Sequence, residues 1–364
     1  MKQPNFNNKR TQKRIKNGLG YVLAVFGTDD TRSKDLYCRD IEKEFSSMSF
    51  PTGKFLHDTL LICTNTHWSM HSGKVKQYKI NLKGVADVAT IMGIDREYNG
   101  FTGLTDRLSK LSIDLGVQWA IDKYNFDDIK YSEKSNRYWH PIQNLRKEIR
   151  NGYLVHHGLT EQYDVECCAQ TLLHQTYLQQ VRKPKNMMYL ESYLKDRSSI
   201  RRKIADDVGI DVDDVKAILT AMNNNSKLQA DNRCKTFANV GYDKYKVILF
   251  NTHPFITGYK RDISEMWKEL GKSVERGTIT TKTGQTRKAM LNGKHKSSMY
   301  FGLEKQVMDI AYNYLDKHNK RYIKLHDAFV TETLAANQVT EITTQIKELT
   351  NYSINLDREV LCSN

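Results

Sequence analysis

Two carboxylates stand in settings suited to metal chemistry. Asp327 lies in the apolar, β-prone run IKLHDAFVTE, residues 323–332, where a charged side chain is costly unless something pairs with it. An aspartate at a strand end presents a hard oxygen ligand to magnesium, and His326 beside it is placed to support such a site. Asp164 stands in YDVECCAQTLL, after an aromatic and apolar approach from Tyr153 to Tyr163 and before small residues and an apolar helix. Two carboxylates from separate strands, brought together across a sheet, can hold two metal ions. Such a pair orients an attacking hydroxyl and neutralises a leaving pyrophosphate. The plainer alternatives stay open: Asp164 as a helix N-cap, Asp327 as a turn residue, His326 as a structural ring. Glu166 is a third candidate ligand, with a solvent-facing role as its alternative.

A cation is needed opposite these acids. Lys216 sits on a helix whose face carries Val212, Val215, Leu219 and Met222. A lysine facing a cleft neutralises triphosphate charge, and Arg201 and Arg202 lie just upstream to assist. Taken alone, Lys216 is a solvated helix residue. Further basic residues flank the acids: Arg137, Arg146, Lys147 and Arg150 before Asp164, and Lys282, Arg287, Lys288, Lys294, Lys296 and Lys305 before Asp327. With nearby glycines they suit phosphate contacts, or else form solvated faces. Tyr300 and Phe301 are candidates for base stacking or for core.

The surrounding chain has 364 residues, enough for two to three domains or one large elaborated one. It carries 56 Lys+Arg against 42 Asp+Glu, a formal charge of +14, which favours polyanionic partners. Its 20 Tyr, 12 Phe and 4 Trp suit base stacking as well as packing. No run approaches the roughly 18 apolar residues of a membrane span. The opening MKQPNFNNKRTQKRIKNG lacks the apolar core of a signal peptide and reads as a basic arm over residues 1–18. The cysteines form no CxxC pair and show no zinc-like spacing with histidine, so a reduced, cytoplasmic compartment without structural zinc is expected.

The elements that must position the acids follow from pattern. Residues 19–27 and 54–65 suit buried strands or short helices, and 83–125 has helical spacing with glycine breaks. Residues 163–178 start as a strand and pass into a helix, and 209–225 is a helix opened by Asp211. Residues 246–251 suit a strand or a buried helical turn. An amphipathic helix over 302–319 leads into a strand over 321–332, then a helix and a short strand over YSINLD. This alternation predicts an α+β domain.

The order of these pieces resembles a known family. An Asp in a strand-to-helix segment, a Lys-bearing helix, an amphipathic helix and a strand with His-Asp match motifs A, B and C of family-A DNA polymerases and phage-type single-subunit RNA polymerases. HDAF is closest to the His-Asp-Ser-Phe of the phage-type enzymes. Residues 137–152, followed by YDVECCAQTLLHQ, resemble small polymerase-like proteins of phages and plasmids. The resemblance covers residues 135–360.

It implies a polymerase palm, a short antiparallel sheet backed by helices, from residues 136–174 and 296–364. Helical fingers would span 175–295, with an α-rich region over 19–135 in place of a full thumb. Asp164 and Asp327 would hold two magnesium ions, and Lys216 with Arg201 or Arg202 would neutralise the triphosphate. Arg137, Arg146, Arg150, Lys294, Lys296 and Tyr300 would touch the nucleic acid. Ala169 takes the place where DNA-making relatives carry a bulky residue; it would leave the sugar pocket open to ribonucleotides, unless it merely serves a tight strand–helix contact. Motif B departs from the family, because Asn224-Asn225 replaces the aromatic-glycine pair after the lysine; residues 287–302 are a rival placement.

The activity implied is that of a primase or small DNA-dependent RNA polymerase of a phage or plasmid. A DNA polymerase of the same fold is the close alternative. A non-catalytic nucleic-acid-binding replication protein and a metal-dependent nuclease come from other classes. The implied partners are a nucleic-acid template, nucleoside triphosphates and a replication or polymerase subunit supplying the missing thumb.

Overall fold

The computed structural model describes residues 4, 6, 8–26, 34–35, 50–65, 77–94, 104–223, 227–231, 234–274, 278–280, 286–288 and 291–361. They form an α+β arrangement in which most elements are helices and the sheets are small and antiparallel. One sheet has four strands, numbered here in chain order: β1 (Glu161–Val165), β2 (Tyr322–Leu325), β3 (Ala328–Thr331) and β4 (Leu356–Val360). Their spatial order is β4-β1-β3-β2. The predicted single strand over 321–332 is thus a hairpin, β2 and β3, closed by His326 and Asp327. His326 has φ +46°, a left-handed conformation that lets two residues reverse the chain.

The sheet separates two apolar cores, which alternation along its strands explains. Tyr163, Val165 and Phe329 point into one core, built with helices from residues 168–270, 300–315 and 342–346. Ile323, Leu325, Ala328 and Val330 point into the other, shared with residues 15–159. The N-terminal region is therefore the covering layer of the sheet's second face.

That layer corrects the expectation of a basic arm over the part of residues 1–18 that is described as helix, from Lys9 on. Lys9–Phe26 is one helix, because Ile15, Leu19, Val22, Leu23 and Phe26 recur at helical spacing and are all buried. It packs on the helix Leu104–Lys123. Gly20 sits at their crossing, where a Cβ would lie 2.7 Å from Trp119 Cβ and 2.9 Å from the Leu115 carbonyl oxygen. Residues 54–65 divide into the end of helix Phe50–Leu60 and strand Leu61–Asn65, which joins a small sheet with Lys34–Asp35 and Gln77–Ile80. Residues 246–251 are helical, within Lys244–Thr252, because Asp243 caps that helix by accepting from Tyr245 N at 2.7 Å.

Four helices bear on the site: α1 (Cys168–Gln180), α2 (Arg197–Val208), α3 (Val212–Asn223) and α4 (Gly293–Lys317). No helix among the described residues is long and apolar enough to cross a membrane.

Candidate functional site

Asp164 stands near the end of β1, directly opposite Ala328 on β3 and Asp357 on β4. Directly opposed residues share a face of an antiparallel sheet, so Asp357 and Asp164 lie side by side. The hairpin turn brings Asp327 in from the other flank, and Val165 N donates to the Asp327 carbonyl oxygen at 2.9 Å. After β1 the chain turns through Cys167, which has φ +48°, straight into α1. These carboxylates lie in a cleft of about 440 Å³ that Arg137, Arg197, Arg201 and Lys216 also line.

The acids load the floor with negative charge. Burial, then the nearby Asp327 carboxylate, pushes the Asp164 pKa up to about 7; Asp357 adds to this, while Lys216 and Arg197 oppose it. Asp164 keeps open surface toward the cleft, but protein surrounds the concave floor, and that enclosure is what penalises its charge. Burial also raises the pKa of Asp327, against the pull of its own backbone N–H, Arg137 and Lys216.

The cations are held in place by specific partners. Arg197 bonds Asp357 at 3.1 Å and Glu166 at 3.2 Å. Its helix α2 is capped by Asp196, which accepts from Ser199 N at 3.2 Å, and Arg201 follows one turn later on the same face. Arg201 Nε donates to Tyr193 Oη at 2.8 Å. Arg137 pairs with Glu304, which is 2% exposed, and its guanidinium lies 3.8 Å from the Phe301 ring centroid. Burial opposes the Arg137 charge, but the Glu304 carboxylate overcomes it and raises that pKa.

Of the residues read from sequence, Asp164, Asp327, Glu166, Lys216, Arg201, Ala169, Arg137, Tyr300 and Phe301 all line this cleft. The others do not. His326 packs against Trp139, ring centroids 4.6 Å apart, and burial followed by Arg137 lowers its pKa to about 4, so it is neutral at pH 7. Arg202 and Lys294 are exposed outside the cleft. Arg146 reaches Ser112 Oγ at 3.4 Å and Glu148 at 3.6 Å; Lys147 pairs with Glu359 at 2.6 Å. Arg150 is half-buried, and burial lowers its pKa. Lys296 is buried with its ammonium 5.0 Å from the Trp267 ring centroid, so it packs between helices rather than facing a phosphate. Lys305 bonds Asp309 and Tyr138 Oη, both at 2.7 Å. Lys282 lies outside the described residues, as do Asn224-Asn225 and the side chains of Arg287 and Lys288.

Arg197 and Asp357, which line the cleft, and Glu304, which holds Arg137, escape a reading of the sequence. Glu304 carries a signal, since it stands on α4 four residues after Tyr300 and four before Met308, inside a buried stripe. Arg197 is one helical turn before Arg201. Asp357 has no signal, because its importance comes from cross-strand register.

Two donor sets are available to a cation. Cys168 Sγ and the Glu304 and Asp327 oxygens lie within 4.8 Å of one another. Burial raises the Cys168 pKa well above its ordinary value, so the thiol proton is hard to remove, and the Glu304 carboxylate is already paired with Arg137. Asp164, Asp327 and Asp357 line the same cleft and offer oxygens of the kind magnesium takes, but their carboxylates do not gather within 4.8 Å of one another as the first set does. A scan against protein-family models gives no match, and no curated protein matches the chain.

Proposed function

We propose that the protein is a template-directed nucleotidyl transferase, with the four-stranded sheet as a polymerase palm and the helices within residues 175–295 as fingers. The observation that carries this reading is the meeting of Asp164 and Asp327 on the floor of a cleft walled by Arg137, Arg197, Arg201 and Lys216. Carboxylates and cations lining one cleft suit a substrate that carries both phosphates and bound metal.

Asp164 and Asp327 are the residues that would hold magnesium, with Asp357 adjacent. Their crowding fits this role: each carboxylate resists ionisation in the company it keeps, and a divalent cation relieves that penalty. Magnesium, when bound, would activate the attacking hydroxyl and neutralise the pyrophosphate. The protein's own part is to position and to balance charge. Lys216, Arg197 and Arg201 offer donors to the triphosphate, and Arg137, fixed by Glu304 and Phe301, gives the cleft a rigid cation. His326, neutral at pH 7, supports the turn that presents Asp327.

The absence of bulk at Ala169, which lines the cleft, favours ribonucleotides and hence a primase or small RNA polymerase, with a phage or plasmid as its setting. The test is extension on a single-stranded DNA template with magnesium. It compares labelled ribo- and deoxyribonucleotides, with and without a primer, beside Asp327→Ala. Primer-free ribonucleotide products that vanish in the variant are expected. Extension of a primer with deoxyribonucleotides alone would make it a DNA polymerase. No product under any condition, with template binding unchanged in the variant, would replace the reading with a non-catalytic nucleic-acid binder.

A further inference from the structure

The hairpin Ser132–Lys134/Arg137–Trp139 connects the cleft to the outer surface. Arg137 and Trp139 alternate along one strand, so they share a face. Arg137 lines the cleft, and Trp139 stands two residues on, roughly 7 Å farther along the strand. There it is 39% exposed. The indole is held edge-on by His326, centroids 4.6 Å apart at 71°, the residue next to Asp327 in the turn. The His326 Nδ1 atom is buried without a hydrogen-bond partner among the described residues. Tyr131, 37% exposed, packs edge-on against His140, the residue after Trp139.

A cation lies on each face of this strand: Arg137 on the face of Trp139, and Lys324 over Tyr138 on the other. The Lys324 ammonium lies 4.1 Å from the Tyr138 centroid and 5.5 Å from that of Tyr131. An exposed indole with a cation two residues away on the same face suits a stacked base on a phosphate backbone, and the chain's +14 charge points the same way. A protein partner would call for a broader apolar patch.

We propose that Trp139 is a stacking platform for a base of the single-stranded polynucleotide that passes the His326–Asp327 turn. This deepens the polymerising reading and rests on it for the strand's direction. Every base has a π-face, so the contact is tolerant of sequence.

The test is binding of labelled oligo(dT) and oligo(rU) by fluorescence anisotropy, at low salt and without metal or nucleotide. Trp139→Ala is expected to weaken both about tenfold, the scale of one lost stack, whereas Trp139→Tyr stays within about twofold. Thermal melting verifies that both variants fold. Unchanged binding by Trp139→Ala overturns the proposal, as does equal loss in the Ala and Tyr variants, which would make the indole a structural prop. Failure of the wild type to bind either oligonucleotide also overturns it and leaves the surface to a protein partner. Absence of nucleotide incorporation by a wild type that shows the stacking result would sink the polymerising reading alone.

Discussion

Asp164 and Asp357 are directly paired across adjacent antiparallel strands, and Arg197 bonds the second of them at 3.1 Å. Like charges in such a position repel. They persist because Arg197 supplies a counter-charge and the cleft stays open to solvent. The strand pair is thereby held in a state that a cation improves.

The first prediction concerns pH. Burial, with Asp327 beside it, places the Asp164 pKa at about 7, far above the roughly 3.9 of an unfolded aspartate. Between those values the native state holds a proton that the unfolded state has released. Stability without metal therefore falls as pH rises through this window, as the linkage relation requires. Magnesium favours the ionised carboxylate, so it should raise the melting temperature more at pH 8 than at pH 5. Equal magnesium shifts at both values would contradict the assignment of metal binding to Asp164.

The second prediction concerns Arg197. Its removal takes away one cation facing the triphosphate and the partner of Asp357 at once. On the proposed function, Arg197→Ala should raise the KM for nucleotide about tenfold, on the scale of one charge-assisted hydrogen bond. The pH needed for half-maximal activity should also move upward, since Arg197 helps keep Asp164 ionised. Steady-state kinetics across pH measure both quantities. A loss confined to kcat with an unmoved pH profile would assign Arg197 to folding of the cleft wall.

How far the sequence discloses this site follows from its physics. Asp327 is legible because a charge inside an apolar, β-prone run is conspicuous, and Asp164 because an apolar approach leads into it and small residues follow. Asp357 is hidden, since strand register is a long-range property that no local pattern encodes. Lys296 misleads for a related reason: its charge suggests a phosphate partner, but its long stem lies buried beside Trp267. Residues 9–18 pass for part of an arm because basic residues mask the spacing of Ile15, Leu19 and Leu23, and only the partner helix makes that stripe a core. The helix at residues 246–251 is ambiguous from its apolar run, and the Asp243 cap settles it.

The third prediction addresses the buried Arg137–Glu304 pair. Glu304 is 2% exposed and the Arg137 side chain 17% exposed, so neither charge is well solvated. Removing one partner of such a pair strands the other, at a cost of about 3–5 kcal/mol, whereas replacing both with apolar residues is often neutral or better. Glu304→Ala should lower unfolding stability by about that amount in urea titration. Arg137→Met with Glu304→Leu should recover most of the loss in stability. The double variant should still be impaired in nucleotide incorporation, because the cleft wall then lacks its cation. Full activity in the double variant would remove Arg137 from the functional site.

The fourth prediction tests the N-terminal layer. Gly20 permits a close crossing of Lys9–Phe26 with Leu104–Lys123, where an added Cβ would meet Trp119 Cβ at 2.7 Å and a backbone oxygen at 2.9 Å. Neither can swing aside, since the Trp119 Cβ is set by its own backbone and the Leu115 carbonyl is fixed in the same helix. Gly20→Val should therefore push the two helices apart and cost about 2 kcal/mol or more, the scale of overpacking a core. Because Ile323, Leu325, Ala328 and Val330 belong to the same core, the strain reaches the strands that flank the Asp327 turn. The variant should lose stability and nucleotide incorporation together, with both recovering as temperature is lowered. A destabilised variant that keeps wild-type activity at every temperature where it is folded would show that the layer covers the sheet without setting the turn.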